Sequence, residues 1–207
     1  MSLTDLSCDA FSKKLFSKEP VPGGGGAAAL AGALAASLAG MVGNYTSGKK
    51  AYAAYEPEIQ AALAASEASR AALISLVGED AEAFEPLSRA YGIPKGAEGR
   101  EEALDEATRS ALLPPLKMAR EIALLVDELE VLGEKGSKML RSDVGCGAYL
   151  AAAALRCAAM NVSVNTRSLA DRAYAAEVDS EVASLLEAAD HADALGAAVA
   201  ASFVKED

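Results

Sequence analysis

The sequence predicts an all-α fold, an elongated bundle of about five to six helices, several of them long, forming a single domain over residues 1–207. Three observations predict it. Apolar residues recur at helical spacing along nearly the whole chain. No run alternates between apolar and polar residues as a half-buried strand would. The composition is 52% hydrophobic but only 5% aromatic, with no Trp, so the core is built mostly from Ala and Leu. Alanine is the strongest helix former and buries little area per residue, so such a core requires many helices in close approach.

A first helix is expected over about Ser7–Ser17, ended by the loop "KEPVPGGGG". A second follows the glycines and runs to about Ser47. No charge occurs from Val21 to Gly48, and residues 23–43 are long enough to span a bilayer. The strongly apolar residues there are only Leu30, Leu34, Leu38, Met41 and Val42. No basic cluster precedes them and no aromatic belt flanks them, which favours a buried helix in water over a membrane span. Ala28, Gly32, Ala36 and Gly40 form a stripe of small residues that lets another helix come close.

A third helix opens near Pro57, a good first-turn residue, and continues to about Tyr91 along the stripe Leu73, Val77, Asp80, Phe84, Leu87, Tyr91. "GIPKGAEG" is a break. The fourth covers about Arg100–Leu132, with Pro114 and Pro115 expected to kink it. "GEKGSKMLRSDVGCG" reads as a loop, followed by a fifth helix to about Ser168 and a sixth from about Asp171 to Lys205. Long helices with so much apolar surface predict a homodimer.

The net charge of −11 argues against a nucleic-acid partner, because counterion release needs a basic surface. Cys8, Cys146 and Cys157 form no CxxC pair and read as reduced thiols of a cytoplasmic protein. The N-terminal segment lacks the order of a signal peptide. One His and three scattered Cys offer no zinc spacing. His191 lies among acids, off the apolar stripe, and is expected to be exposed.

Polar residues on apolar stripes carry the functional information. Asp80 shares a helix face with Val77 and Phe84, where a carboxylate must be paired or hydrogen-bonded. It is either an inter-helix salt bridge, a cap for a neighbouring helix, or an acid–base group with a raised pKa. Asn161 and Asn165 lie on a stripe of small residues, Gly147, Ala151, Ala154 and Ala158. They are an inter-helix clasp or a pair of amides for a heterocycle edge. Ser142 and Asp143 open the fifth helix as an N-cap and a dipole-stabilising acid. The run Gly23, Gly24, Gly25, Gly26 is a tight turn or a place where a ligand meets backbone N–H groups at a helix start. Lys49 and Lys50 complement the end of the second helix, or hold a carboxylated ligand.

Together and in this order, "PVPGGGGAAALAGALAASLAGMVGNYTSGKKAY", "DAEAFEPLSRAYGIPK", "PLKMA" and "RSDVGCGAYLAAAALRCAAMNVSVNTRSLAD" resemble the cyclodeaminase/cyclohydrolase family. That family includes the C-terminal domain of formiminotransferase-cyclodeaminase and stand-alone bacterial methenyltetrahydrofolate cyclohydrolases. The resemblance implies an all-helical, dimeric folate enzyme with no metal or organic cofactor beyond the folate. It implies first a cyclodeaminase, closing 5-formiminotetrahydrofolate to 5,10-methenyltetrahydrofolate with release of ammonia. The alternatives are a cyclohydrolase, opening the methenyl bridge with water to 10-formyltetrahydrofolate, and a non-catalytic helical dimer that binds folate or a protein. Asp80 and Asp143 become the candidate proton carriers, and Asn161 and Asn165 the readers of the pterin edge. Lys49 and Lys50 would meet the glutamate tail, Ser142 would contact the substrate, and Gly23–Gly26 would admit the ligand. Where the family has Ser or Ala after three glycines, this chain has Gly26.

Overall fold

The computed structural model describes residues 2–204. Six α-helices follow in order: α1 Cys8–Phe16, α2 Gly24–Thr46, α3 Glu56–Tyr91, α4 Arg100–Lys135, α5 Arg141–Thr166 and α6 Arg172–Ala201. Short 3-10 helices at Leu3–Asp5, Lys50–Tyr55 and Lys138–Leu140 complete the ordered elements, and no strand occurs among the described residues. Capping sets several boundaries. The Ser7 hydroxyl accepts from the Ala10 N–H at 3.1 Å, and the Asp171 carboxylate accepts from the Tyr174 N–H at 3.0 Å. The last helix, expected to run to Lys205, ends earlier, at Ala201 with Ser202 as its C-cap; Lys205 itself lies outside the described residues.

α2 packs between α3 and α5, α4 packs against the same two helices, and α6 covers α5 and α4. α2 and α5 run antiparallel, since Gly24 neighbours Asn161 at one end and Gly147 neighbours Leu38 further along. Leu73, Ile122, Leu125, Leu129 and Leu155 are fully buried between them, filled in by Ala29, Ala35, Ala36, Ala151 and Ala158. A Cβ at Gly32 would lie 3.0–3.1 Å from Ile122 and Leu73, so the small stripe does admit α3 and α4 closely. Gly40 departs from it: nothing lies within 4 Å, and the contact continues through Ala39, Val42 and Gly43 instead.

Two readings of the sequence are corrected. α4 continues to Lys135 and α5 begins at Arg141, so most of the expected loop is helical. The glycines that suggested a loop are places of close packing: a Cβ would lie 2.8 Å from Val199 at Gly145 and 2.8 Å from Leu129 at Gly147. Ser142 is not a cap either. The N-cap is Leu140, and Ser142 lies inside the first turn beside Asp143. α4 stays continuous through Pro114 and Pro115, both buried.

Gly147→Val is expected to destabilise the fold by about 1–3 kcal/mol through overpacking, whereas Gly40→Ala leaves it unchanged or slightly firmer. Urea unfolding of the two variants checks this. A Gly147→Val protein as stable as its parent would contradict the close approach of α5 to α4.

Three segments, Gly24–Thr46, Lys50–Tyr91 and Lys138–Thr166, are long and apolar enough to cross a membrane by length and composition; here they pack within the bundle, with 56% of the most apolar 18-residue window of the first buried. One face stays uncovered. Leu34 and Tyr45 of α2 and Cys146, Ala153, Met160 and Val164 of α5 are exposed. No exposed residue of α2, or of α5 between Cys146 and Val164, carries a charge.

Candidate active site

The site grows from the N-terminus of α2. Its N-cap, Gly23, has extended backbone and supplies no side-chain hydrogen bond. None of Gly23–Gly26 has positive φ, so the run is not there for backbone freedom. It is there for space. A Cβ at Gly25 would lie 2.6 Å from Cγ and Oδ2 of Asp80. A Cβ at Gly26 would lie 3.3 Å from Pro22, and one at Gly24 would lie 3.4 Å from the Asn161 amide. Only Gly23 faces open space.

Asp80 therefore reaches across from α3 to the first turn of α2. Desolvation pushes its carboxyl above the ordinary range, and the Gly26 N–H facing it opposes that rise. No positive side chain contributes to the balance. Of the alternatives open in the sequence, the salt bridge is set aside, and the carboxylate faces the Gly26 N–H of a neighbouring helix start.

α5 supplies the facing wall. Asn161 donates through Nδ2 to the Cys157 carbonyl at 2.8 Å. Asn165 donates through Nδ2 to the Asn161 carbonyl at 3.0 Å and to the Ala111 carbonyl of α4 at 3.3 Å. That last acceptor is available because Pro115, four residues on, has no N–H to give it. Each Nδ2 donates to backbone, and among the described residues no protein group donates to either Oδ1. Asn165 thus clasps α5 to α4 and at the same time lines the cavity.

Gly23, Gly24, Gly25, Asp80, Asn161 and Asn165 line one cavity of about 260 Å³. Phe84, Leu87 and Tyr91, the continuation of the Asp80 stripe, and Pro115 form its apolar walls. The sequence marked Phe84, Leu87 and Tyr91 only as core; their i+4, i+7 and i+11 spacing from Asp80 was the available signal. Among the described residues no Lys, Arg or His lines the cavity.

The other expected site residues lie at the opposite end of α2 and α5. α2 has 23 residues, a length of about 35 Å at about 1.5 Å per residue. Lys49 and Lys50 follow its end rather than closing its last turn, and both are exposed. The Thr46 hydroxyl accepts from the Ser137 N–H at 2.9 Å and the Tyr52 hydroxyl from the Lys138 N–H at 3.3 Å, which ties this end to the start of α5. The Lys138 N–H, then Ser137 and the charges of Lys49 and Lys138, hold the Tyr52 phenol below its usual pKa. Ser142 and Asp143 sit in the turn that follows. Within one chain, then, Asp80 and Asp143 do not meet. His191 is exposed and pairs with Glu130 at 3.2 Å, away from both ends. Among the described residues no group of three or more His, Cys, Asp or Glu is placed to hold a metal ion.

Residues 7–184 match the sequence family described as formiminotransferase-cyclodeaminase. A methenyltetrahydrofolate cyclohydrolase of Methylorubrum extorquens is 40% identical over 182 residues, 86% of this chain and 88% of that protein. The formimidoyltransferase-cyclodeaminase of Sus scrofa is 33% identical over 91% of this chain, which spans 36% of that longer protein. The crystal structure of a formiminotetrahydrofolate cyclodeaminase from Thermotoga maritima superimposes with a TM-score of 0.84 at 32% identity, over 96% of this chain and 100% of that one.

Proposed function

The chain belongs to the formiminotransferase-cyclodeaminase family, and from that premise we propose that it opens the one-carbon bridge of 5,10-methenyltetrahydrofolate with water, as a methenyltetrahydrofolate cyclohydrolase. The observation that carries this reading is the Asp80 carboxylate, partly buried in an apolar-walled cavity with no cation beside it. A methenyl bridge is a cation. An unpaired carboxylate in low dielectric stabilises it, and can take the proton of the attacking water. The neutral adduct then breaks its C–N5 bond as N5 is protonated, which leaves 10-formyltetrahydrofolate and one proton released to solvent. The free Oδ1 acceptors of Asn161 and Asn165 suit the N–H groups of a pterin edge. In this scheme side chains and the folate itself carry the chemistry, without a further cofactor.

The 40% identity to the Methylorubrum extorquens cyclohydrolase supports placing this reading before the cyclodeaminase. The cyclodeaminase is the second reading, favoured by the similarity to the Thermotoga maritima structure. It uses the same carboxylate in the other direction, to protonate the departing ammonia while the methenyl cation forms.

The proposal includes a cytoplasmic homodimer that pairs through the charge-free face of α2 and α5. Antiparallel pairing about a two-fold axis sets the Lys49 end of each copy against the Asp80 end of the other. The cavity then gains the cations that an anionic folate needs, from Lys49 and Lys50 of the partner subunit. The partner subunit's Ser142 and the partner subunit's Asp143 arrive with them.

One assay tests the function. Methenyltetrahydrofolate has its own near-ultraviolet absorbance. The expected result is its loss well above the spontaneous rate on addition of the protein. Its appearance from 5-formiminotetrahydrofolate would transfer the assignment to the cyclodeaminase. No change with either folate would sink both and favour a binding module.

A further inference from the structure

We infer that Gly25 is a positioning residue for the reaction: its missing side chain is what seats the Asp80 carboxylate on the first turn of α2. The inference rests on the reading of Asp80 as the proton carrier, and geometry carries it. Gly25 is buried and has ordinary helical backbone, so conformation does not demand glycine. α2 brings no cap of its own. A Cβ at Gly25 would stand 2.6 Å from Cγ and Oδ2 of Asp80, closer than side chains pack. Asp80 cannot retreat, because α3 is anchored just before it by Leu73, Leu76 and Val77, all buried. A methyl group at position 25 therefore pushes the carboxylate off the first turn of α2, away from the Gly26 N–H and against the apolar cavity wall of Phe84 and Leu87, where it stays desolvated. The neighbouring glycines do other things: Gly24 makes room for Asn161 and Gly26 for Pro22. Gly25 is thus separable from the rest of the run.

The carboxylate loses on that displacement the one group that draws its pKa down, the Gly26 N–H at the positive end of a helix. Gly25→Ala should therefore lower kcat by about a hundredfold through misplacement of the proton carrier, with KM changed by less than about threefold, because the amides and aromatic walls are untouched. The acid limb of the pH–rate profile should move to higher pH. Gly40→Ala, the same substitution in the same helix with nothing within 4 Å, is the control and should retain the parent's kinetics.

A readout free of turnover runs alongside. In carbon-13 labelled protein, the Asp80 carboxyl signal is identified by its absence in Asp80→Asn. Its titration should move upward in Gly25→Ala. In the unaltered protein, the Gly26 amide proton should follow that titration, and stop doing so in Asp80→Asn; this holds the test together should Gly25→Ala fold poorly. A Gly25→Ala protein with parental kcat and an unmoved Asp80 titration would overturn the inference, as would a Gly26 amide indifferent to Asp80. If the parent turns over neither folate, the proposed function fails, while the carboxyl and amide titrations still decide where Asp80 is seated.

Discussion

Asp80→Asn is expected to lower turnover of either folate by about a thousandfold, within the range a positioned acid–base group supplies, while the folded protein becomes more stable at neutral pH. Both effects have one cause. Desolvation raises the Asp80 carboxyl above its unfolded value. Below the unfolded pKa both states hold the proton and the residue costs nothing. As pH rises from there through the raised folded pKa, the unfolded chain releases its proton first. The folded state then binds more protons, and stability falls with pH. Asparagine has no charge to bury and keeps the acceptor that faces the Gly26 N–H, so the variant loses that slope. Melting temperatures of both proteins across the acid-to-neutral range, beside initial rates, check the two halves together. Turnover within tenfold of the parent, or a variant less stable at neutral pH, would remove Asp80 from the role given to it.

Mixing two inactive variants is expected to restore about a quarter of the parental activity, as the symmetry of a two-fold dimer dictates. One variant is Asp80→Asn. The other carries Lys49→Glu and Lys50→Glu, both exposed positions where a charge change leaves packing alone. Random reassortment makes half of the dimers mixed. In each of these, one site receives both defects and the other receives neither. Asp143→Asn in place of the lysine changes should behave in the same way. If each chain built its site alone, the mixture would stay as inactive as its parts. That result, from subunits shown by size to have paired and exchanged, would place Lys49, Lys50 and Asp143 outside the site.

The helices were legible because apolar spacing alone fixes which residues must turn inward. α1 and α3 fall within about a residue of the expected limits, whereas α2 begins at Gly24, inside the glycine run that was expected to be loop. The segment from Gly133 to Gly147 misled because glycine has two uses that look alike in a sequence. It can break a helix, or let a neighbour touch it, and Gly145 and Gly147 do the second. Asp80, Asn161 and Asn165 were legible as polar residues on apolar stripes. Their convergence with Gly23–Gly25 was not, since it depends on α2 and α5 running antiparallel. Pro115 was read as a kink, whereas its effect on the site is to leave the Ala111 carbonyl for Asn165. Lys49 and the glycines stood at the two ends of one helix in the sequence, and the length of that helix keeps them apart.

The glycine run has a consequence for how this molecule comes together. Glycine costs a helix about 1 kcal/mol per residue relative to alanine, and Gly24, Gly25 and Gly26 make up the first turn of α2 with no cap of their own. That turn has little reason to form in an isolated segment. It forms against α3, once a carboxylate from elsewhere in the chain is there to receive its N–H groups. The turn is therefore expected to be the least self-supporting part of α2 and an early point of local opening, which amide exchange at Gly24–Gly26 checks. If Asp80 carries the proton, the chemistry rests against that turn, and a bound folate would tighten what the sequence leaves loose.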